Sequence, residues 1–326
     1  MSGKAISLGR YALRRALEAI PLVFGVIVFT FVLVHVTPGD PVYALTGAEA
    51  SPEFISATRE AYGLNLPIAQ QLAIYLSKML QGDFGYSFFF QQPVLGVIFA
   101  KLPATLLLMG TGLTLASLIG VMLGVISARK VYSAIDNTVT VLSLIGYSLP
   151  VMWFGQALVL ILAVYLDLFP AGGMTSYSAV GLIETTLDLL WHMALPVVVI
   201  ATFYIALICR MTRASLLEVL GKDYIVTARA KGLRENIVLY RHALRNAFPP
   251  VLAVLGVNVG MMFAGAILTE TVFSWPGMGR FLYESVFRRD YPVLMGLFIF
   301  ITASVVIANF VADVAHAYLD PRVRLR

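Results

Sequence analysis

Long stretches free of Asp, Glu, Lys and Arg dominate the chain. Six of them lie near residues 19–36, 103–128, 138–166, 189–209, 247–269 and 292–312. A bilayer core of about 30 Å calls for roughly 20 apolar residues in a helix, and each stretch meets that need. Hydrocarbon offers backbone N–H and C=O groups no partner, so such runs are read as helices. The pattern predicts an all-α integral membrane protein with six transmembrane helices.

The first run follows Lys4, Arg10, Arg14 and Arg15, as in a signal peptide. Its apolar stretch is longer than a typical signal core, and Thr37-Pro38-Gly39-Asp40-Pro41 offers no small-residue cleavage site, so a retained helix is expected. Orientation follows from the basic residues. With the N-terminus inside, segments 1–18, 129–137, 210–246 and 313–326 hold seventeen Lys and Arg. The outer segments 37–102, 167–188 and 270–291 hold six. Lys and Arg collect on the cytoplasmic side, so both termini are expected there. Arg280, Arg288 and Arg289 make the last outer segment the least clean. The chain divides into a cytoplasmic N-terminal segment, 1–18, and one transmembrane domain, 19–326.

Composition agrees. Of 326 residues, 59 % are hydrophobic and 13 % charged, against roughly 25 % charged in a soluble domain. That excludes a soluble globule, a disordered chain and a disulfide scaffold. The net charge of +5 is explained by the inner loops and gives no reason to invoke nucleic acid. Cys209 is alone and cannot form an internal disulfide.

The spans carry packing signals: Gly120 with Gly124, and Gly256 with Gly260, at the spacing that lets helix backbones approach. Pro150 and Pro196 fall in or near span interiors, where proline kinks a helix. The ionisable groups His35, His192, Glu270 and Asp313 sit at span edges, and none lies at mid-depth. That counts against a self-contained channel or secondary carrier, which would also be expected to show an internal repeat. The four histidines, His35, His192, His242 and His316, are scattered, and neither His-Glu-x-x-His nor Gly-x-Ser-x-Gly occurs. Gly221-Lys222 is followed by Asp223, so no phosphate-cradling loop is present.

Two loops exceed simple connections. In the outer loop, 37–102, Ser51-Pro52-Glu53 reads as the start of a helix that Gly63 would end. A second helix is expected over Ile68 to Gln81, with Gly82 as the stop. The aromatic run in Gly82-Asp83-Phe84-Gly85-Tyr86-Ser87-Phe88-Phe89-Phe90 is an interfacial belt or a receiving surface. The inner loop, 210–246, holds eight basic residues against Glu218, Asp223 and Glu235. Asp223 is expected to cap a short helix through Lys231, and Gly232 to close it in the left-handed region; a further helix starts at Arg234. The small residues Thr227, Ala228 and Ala230 leave a low face for another surface; a basic helix on lipid headgroups is the alternative.

Val226-Thr227-Ala228-Arg229-Ala230-Lys231-Gly232 resembles the cytoplasmic signature of ATP-binding-cassette importer permeases. That family's pattern is Glu-Ala-Ala, three residues, Gly, and later Ile-x-Leu-Pro. Here Val226 and Thr227 replace Glu and the first Ala, and His242-Ala243-Leu244-Arg245 stands for Ile-x-Leu-Pro. These departures look like the dipeptide, oligopeptide and nickel branch, first-permease type. Thr37–Pro41, Gly82–Ser87, Leu102-Pro103-Ala104-Thr105 and Ser148-Leu149-Pro150-Val151 agree with it. So do Glu270-Thr271-Val272-Phe273-Ser274-Trp275-Pro276-Gly277, Arg289-Asp290-Tyr291-Pro292 and Leu319-Asp320-Pro321-Arg322.

The resemblance implies a non-enzymatic transport subunit of a prokaryotic plasma (inner) membrane. It implies a second permease, two ATPase subunits or domains that bind ATP and Mg, and an extracytoplasmic substrate-binding protein. No cofactor or metal is expected in this chain. Val226, Thr227, Ala228, Arg229, Ala230, Lys231 and Gly232 would form the coupling helix, with Arg229, Lys231 and Arg234 facing ATPase acids or membrane lipid. Candidate pathway residues are Ser143, Tyr147, Ser148, Asn258 and Asn309, although a hydrogen bond to a neighbouring helix is the commoner role for such residues. Di- or oligopeptides are the implied cargo, with nickel, glutathione, opine or oligosaccharide as alternatives.

Overall fold

The computed structural model describes residues 8–36, 51–61, 65–87, 89–176, 180–264 and 266–319. The expected helix end at Gly63, the Thr37–Pro41 segment, Phe88 and Asp320–Arg322 lie outside them. Among the described residues the elements are helical, apart from an isolated bridge between Tyr86 and Pro93. They are α1 (Leu8–Val36), α2 (Pro52–Ala61), α3 (Ile68–Leu80), α4 (Val94–Arg129), α5 (Ala134–Ser148) and α6 (Val151–Tyr165). Then follow α7 (Leu182–Leu220), α8 (Asp223–Ala230), α9 (Glu235–Ala264), α10 (Ile267–Val272), α11 (Met278–Arg288) and α12 (Tyr291–Leu319).

Five helices, α1, α4, α7, α9 and α12, are long and apolar enough to cross a membrane. The stretch expected as one span over 138–166 is instead two helices, α5 and α6, bent by 98°. Leu149 and Pro150 are extended at the bend (φ −65°, ψ 124° and φ −62°, ψ 120°), because proline disfavours helical backbone in the residue before it. Among the described residues the count is five spans, or six if the bent pair is one.

The helices overrun their apolar runs. α7 covers 39 residues rather than 189–209, so the first third of the expected inner loop is helix. α4 begins at Val94, inside the expected outer loop. An apolar run measures the hydrocarbon, not the helix: residues such as Glu184, Arg210 and Glu218 continue the hydrogen-bond ladder beyond it. The fifth span begins earlier, at Glu235, and stops at Ala264; the expected run to 269 is broken and restarts as α10. Within α9, π-type turns over Val238–Leu244 precede Pro249 and Pro250, which remove two backbone donors from the ladder.

Glycines set the central packing. α4 and α7 run parallel, in register at a constant offset of 88 positions. A Cβ at Gly112 would lie 2.7 Å from Ile200 Cγ2, at Gly120 2.9 Å from Ile208 Cβ, and at Gly124 2.6 Å from Thr212 Cβ. Lipid gives no hydrophobic drive to helix pairing, so close backbone approach supplies the attraction. Gly256 and Gly260 do the same for antiparallel α9 and α12, against Ala312 (2.9 Å) and Asn309 Oδ1 (3.2 Å). At one end of this bundle, Val125 and Ala128 of α4, Leu216 of α7, Ile225 and Ala228 of α8, and residues of α9 form a buried cluster. At the other, Val94 and Ile98 of α4 pack with α11 and α12.

Candidate coupling turn and the outer scaffold

α8 is a short bracket between two long helices. Asp223 is its first helical residue rather than its cap: Lys222 takes the cap position with no side-chain bond, and Asp223 contributes its carbonyl, which accepts from Thr227 Oγ1 at 3.0 Å. Gly232 closes the turn as expected, at φ +72°, with its N–H on the Arg229 carbonyl at 2.9 Å. The spacing of three puts Ile225 and Ala228 on the inner face, buried in the cluster with α4, α7 and α9. Ala228 is therefore spent on the chain's own core. Val226, Thr227 and Ala230 face outward, with Lys231 exposed beside them. Arg229 turns back: its Nη2 and Nε donate to Glu235 at 2.7 and 3.2 Å, bridging the Gly232 turn. That pair holds the Arg229 guanidinium above its ordinary pKa.

At the opposite end, two sets of separated motifs lock together. Thr105 Oγ1 donates to Glu270 Oε1 at 2.8 Å and accepts from Met278 N at 2.7 Å. The Arg280 N–H, in the first turn of α11, donates to Glu270 Oε2 at 3.0 Å, where a helix start favours negative charge. Burial pushes the Glu270 carboxyl above the usual carboxylate range. Trp275, fully buried, donates its indole N–H to the Ala104 carbonyl at 2.9 Å. Leu102–Thr105 and Glu270–Gly277 are thus two halves of one joint.

The second joint is Asp290. Its Oδ2 accepts from Ser87 Oγ at 2.6 Å and from the Phe89 N–H at 3.1 Å, pinning the Gly82–Ser87 segment to the start of α12. The aromatic run folds inward here: Phe90 packs on Phe281 with ring centroids 5.3 Å apart, and Arg288 stacks 3.5 Å above the Phe89 ring. Phe90 is thus held by the chain itself, while Phe89 keeps an exposed face.

The candidate pathway residues do not converge. Ser143 is buried on α5. Tyr147 stacks on Phe203 at 5.2 Å, with the Arg210 guanidinium 5.0 Å from its ring, and Ser148 is exposed. Asn258 Nδ2 donates to the Val254 carbonyl at 2.7 Å, and Asn309 abuts Gly260. An apolar groove of about 380 Å³ opens instead between Met109, Val151, Phe203, Tyr204, Met261 and Leu268. The sequence reading also passed over Asp136, which is buried and bound by Arg213. Ser133-x-x-Asp136 is a helix-start pattern, and Ser133 Oγ does accept from the Asp136 N–H at 3.3 Å; that signal was available.

The oligopeptide transport system permease protein AppB of Bacillus subtilis is 40 % identical over 314 residues, covering 96 % of this chain and 98 % of the relative. The dipeptide transport system permease protein DppB of Escherichia coli K12 is 39 % identical over 334 residues, 97 % and 98 % of the two chains. A di/tripeptide permease, DppB of Pseudomonas aeruginosa, is 39 % identical over 327 residues, 95 % and 97 %. Residues 8–109 match the N-terminal model of binding-protein-dependent transport membrane components. Residues 120–325 match the model described as binding-protein-dependent transport system inner membrane component, and the chain belongs to that family.

Proposed function

We propose that the chain is one of two permease subunits of an ATP-driven importer of di- and oligopeptides in a prokaryotic plasma membrane. The observation that carries this is α8: a rigid bracket that buries Ile225 and Ala228 and offers Val226, Thr227 and Ala230 outward. Thr227 and Ala230 are small, so an ATPase cleft can approach the bracket closely there, between the longer exposed side chains of Tyr224 and Lys231. ATP and Mg bind in the ATPase subunits, and this chain contributes no catalytic residue. Closure of the ATPases favours one membrane conformation because the docked bracket fits it better, a shift of population rather than a push. The α8 end is cytoplasmic, consistent with the basic residues gathered in 1–18, 129–137, 210–246 and 313–326.

Cargo follows from the relatives, which are named for dipeptides, di/tripeptides and oligopeptides. A binding protein delivers it at the Trp275 end. Tyr147 and Ser148, exposed on α5, are the retained pathway positions; Ser143 is buried, and Asn258 bonds the Val254 carbonyl of its own helix. The test is purification of the chain from its native membrane in mild detergent. Recovery of a second permease and ATPase subunits, and peptide-stimulated ATP hydrolysis by that complex, is expected. A chain that elutes alone, without ATPase activity, refutes the reading.

A further inference from the structure

Asp136 is 1 % exposed and lies at the α8 end of the bundle. Four donors converge on its carboxylate. Arg213 Nε and Nη2 reach Oδ1 and Oδ2 at 2.7 and 2.8 Å, the Tyr132 N–H reaches Oδ2 at 2.8 Å, and Ser127 Oγ donates to Oδ1. Arg213 Nε also donates to Ser127 Oγ at 3.1 Å. Ser127 belongs to the end of α4, Asp136 to the first turn of α5, and Arg213 to α7. Tyr132 sits between α4 and α5 at φ +60°, a left-handed turn that the carboxylate braces.

A forked guanidinium–carboxylate pair fixes orientation as well as distance. It is poor evidence for stability, because apolar residues of similar volume often hold a core equally well. Its place in the fold suggests another use. Val125 and Ala128, flanking Ser127, and Leu216, one turn past Arg213, are the residues on which Ile225 and Ala228 of α8 are seated. The cluster also takes in Val238, Leu239, Ala243 and Ala247 of α9, so two of the three helices that seat α8, α4 and α7, are also the helices that grip Asp136.

From Asp136 the contact continues away from α8. Gly146 of α5 packs against Thr202 of α7, where a Cβ would come within 3.1 Å. The 98° bend at Leu149–Pro150 then turns the chain into α6. Gly155 of α6 meets Val272 and Phe273, at 3.2 and 3.3 Å from a Cβ placed there. Those residues sit between Glu270 and Trp275, in the joint that closes the opposite end.

We propose that Asp136 and Arg213 are positioning residues of the transport cycle. The pair makes α5 move with the α4–α7–α8 unit, so displacement of the coupling turn swings the bent α5–α6 arm against the Val272–Phe273 segment. This rests on the reading of α8 as the turn that docks an ATPase.

The experiment uses the whole importer complex, reconstituted in proteoliposomes with its binding protein, and reads peptide imported per ATP hydrolysed. Asp136→Asn alone leaves the half-buried Arg213 guanidinium without its charge partner and can fail to assemble for that reason. Asp136→Asn combined with Arg213→Gln removes both charges and leaves a polar side chain at each position. The double variant is expected to assemble with basal ATP hydrolysis within about twofold of the parent, while import per ATP falls roughly tenfold or more. Arg213→Lys, which keeps the charge and loses the fork, is expected to fall between. Import per ATP at the parental level in the double variant overturns the proposal and leaves a structural ion pair. A double variant that does not assemble overturns it too, since the pair is then a folding requirement. Failure of the α8 reading looks different: bulky substitutions at Thr227 and Ala230 would leave ATPase association and coupling intact.

Discussion

At the scale of single residues, the glycines divide by what surrounds them. Gly232 has open space where a Cβ would go, so its cost on substitution is purely backbone: φ is +72°, and an L-residue held there costs about 1–2 kcal/mol, more if β-branched. Gly232→Val is expected to insert normally, retain assembly and lose most import per ATP, because the turn relaxes and the α8 ledge shifts. Parental import per ATP in that variant would remove Gly232 from the coupling reading. Gly124 is the reverse case, with Thr212 Cβ and the Cys209 carbonyl 2.6 and 2.8 Å from the missing Cβ. Overpacking of that kind costs about 1–3 kcal/mol. Gly124→Leu should lower the folded yield in detergent, judged by size-exclusion, while Gly25→Leu on α1, with nothing within 4 Å, should not. Equal yields would mean α4 and α7 can separate freely.

At the scale of elements, buried carboxylates fasten helices where apolar packing alone would leave their rotation open. Glu270 holds the start of α11 to α4 through Thr105 and the Arg280 N–H. Glu270→Ala strands these donors in a buried site, at about 1–3 kcal/mol for each. The expected result is a marked loss of thermal stability in the purified chain, largely restored in Glu270→Gln, which keeps an acceptor. Because its folded pKa is raised, the Glu270 carboxyl contributes most at acid pH and loses stability as pH rises through its folded pKa. Glu270→Gln should therefore flatten that part of the stability–pH curve; an unchanged curve would show that burial does not govern this group. Asp290 does for the Gly82–Ser87 segment what Glu270 does for α11. Asp290→Ala should free that segment and quicken protease cleavage there in proteoliposomes open to the Trp275 side.

At the scale of the whole molecule, a parallel α4–α7 pair forms the spine, with α8 at one end and the Glu270–Trp275 joint at the other. If the α8 end is cytoplasmic, a cysteine at Lys231 should react with a membrane-impermeant maleimide in inside-out vesicles only. One at Gln81 should react in right-side-out vesicles only. The opposite pattern would invert the topology. The native Cys209 is buried and should stay silent.

Hydropathy along the chain was enough for the helical class and the approximate place of five long apolar helices, because unpaired backbone groups and charge are too costly in hydrocarbon to leave other options; it did not show that 138–166 is a bent pair. The sequence also specified the Gly232 turn and both glycine pairs, since each depends on a local backbone or a fixed spacing. Tertiary structure alone decided where helices end, for Arg210 and Arg213 continue α7 past its apolar run and Asp136 neutralises the second of them. It decided that Ala228 turns inward while Thr227 and Ala230 do not, and that Leu102–Thr105 answers Glu270–Gly277 across 165 positions of chain. Such pairings depend on which side chains meet after packing, and hydropathy and spacing along one chain carry no record of that.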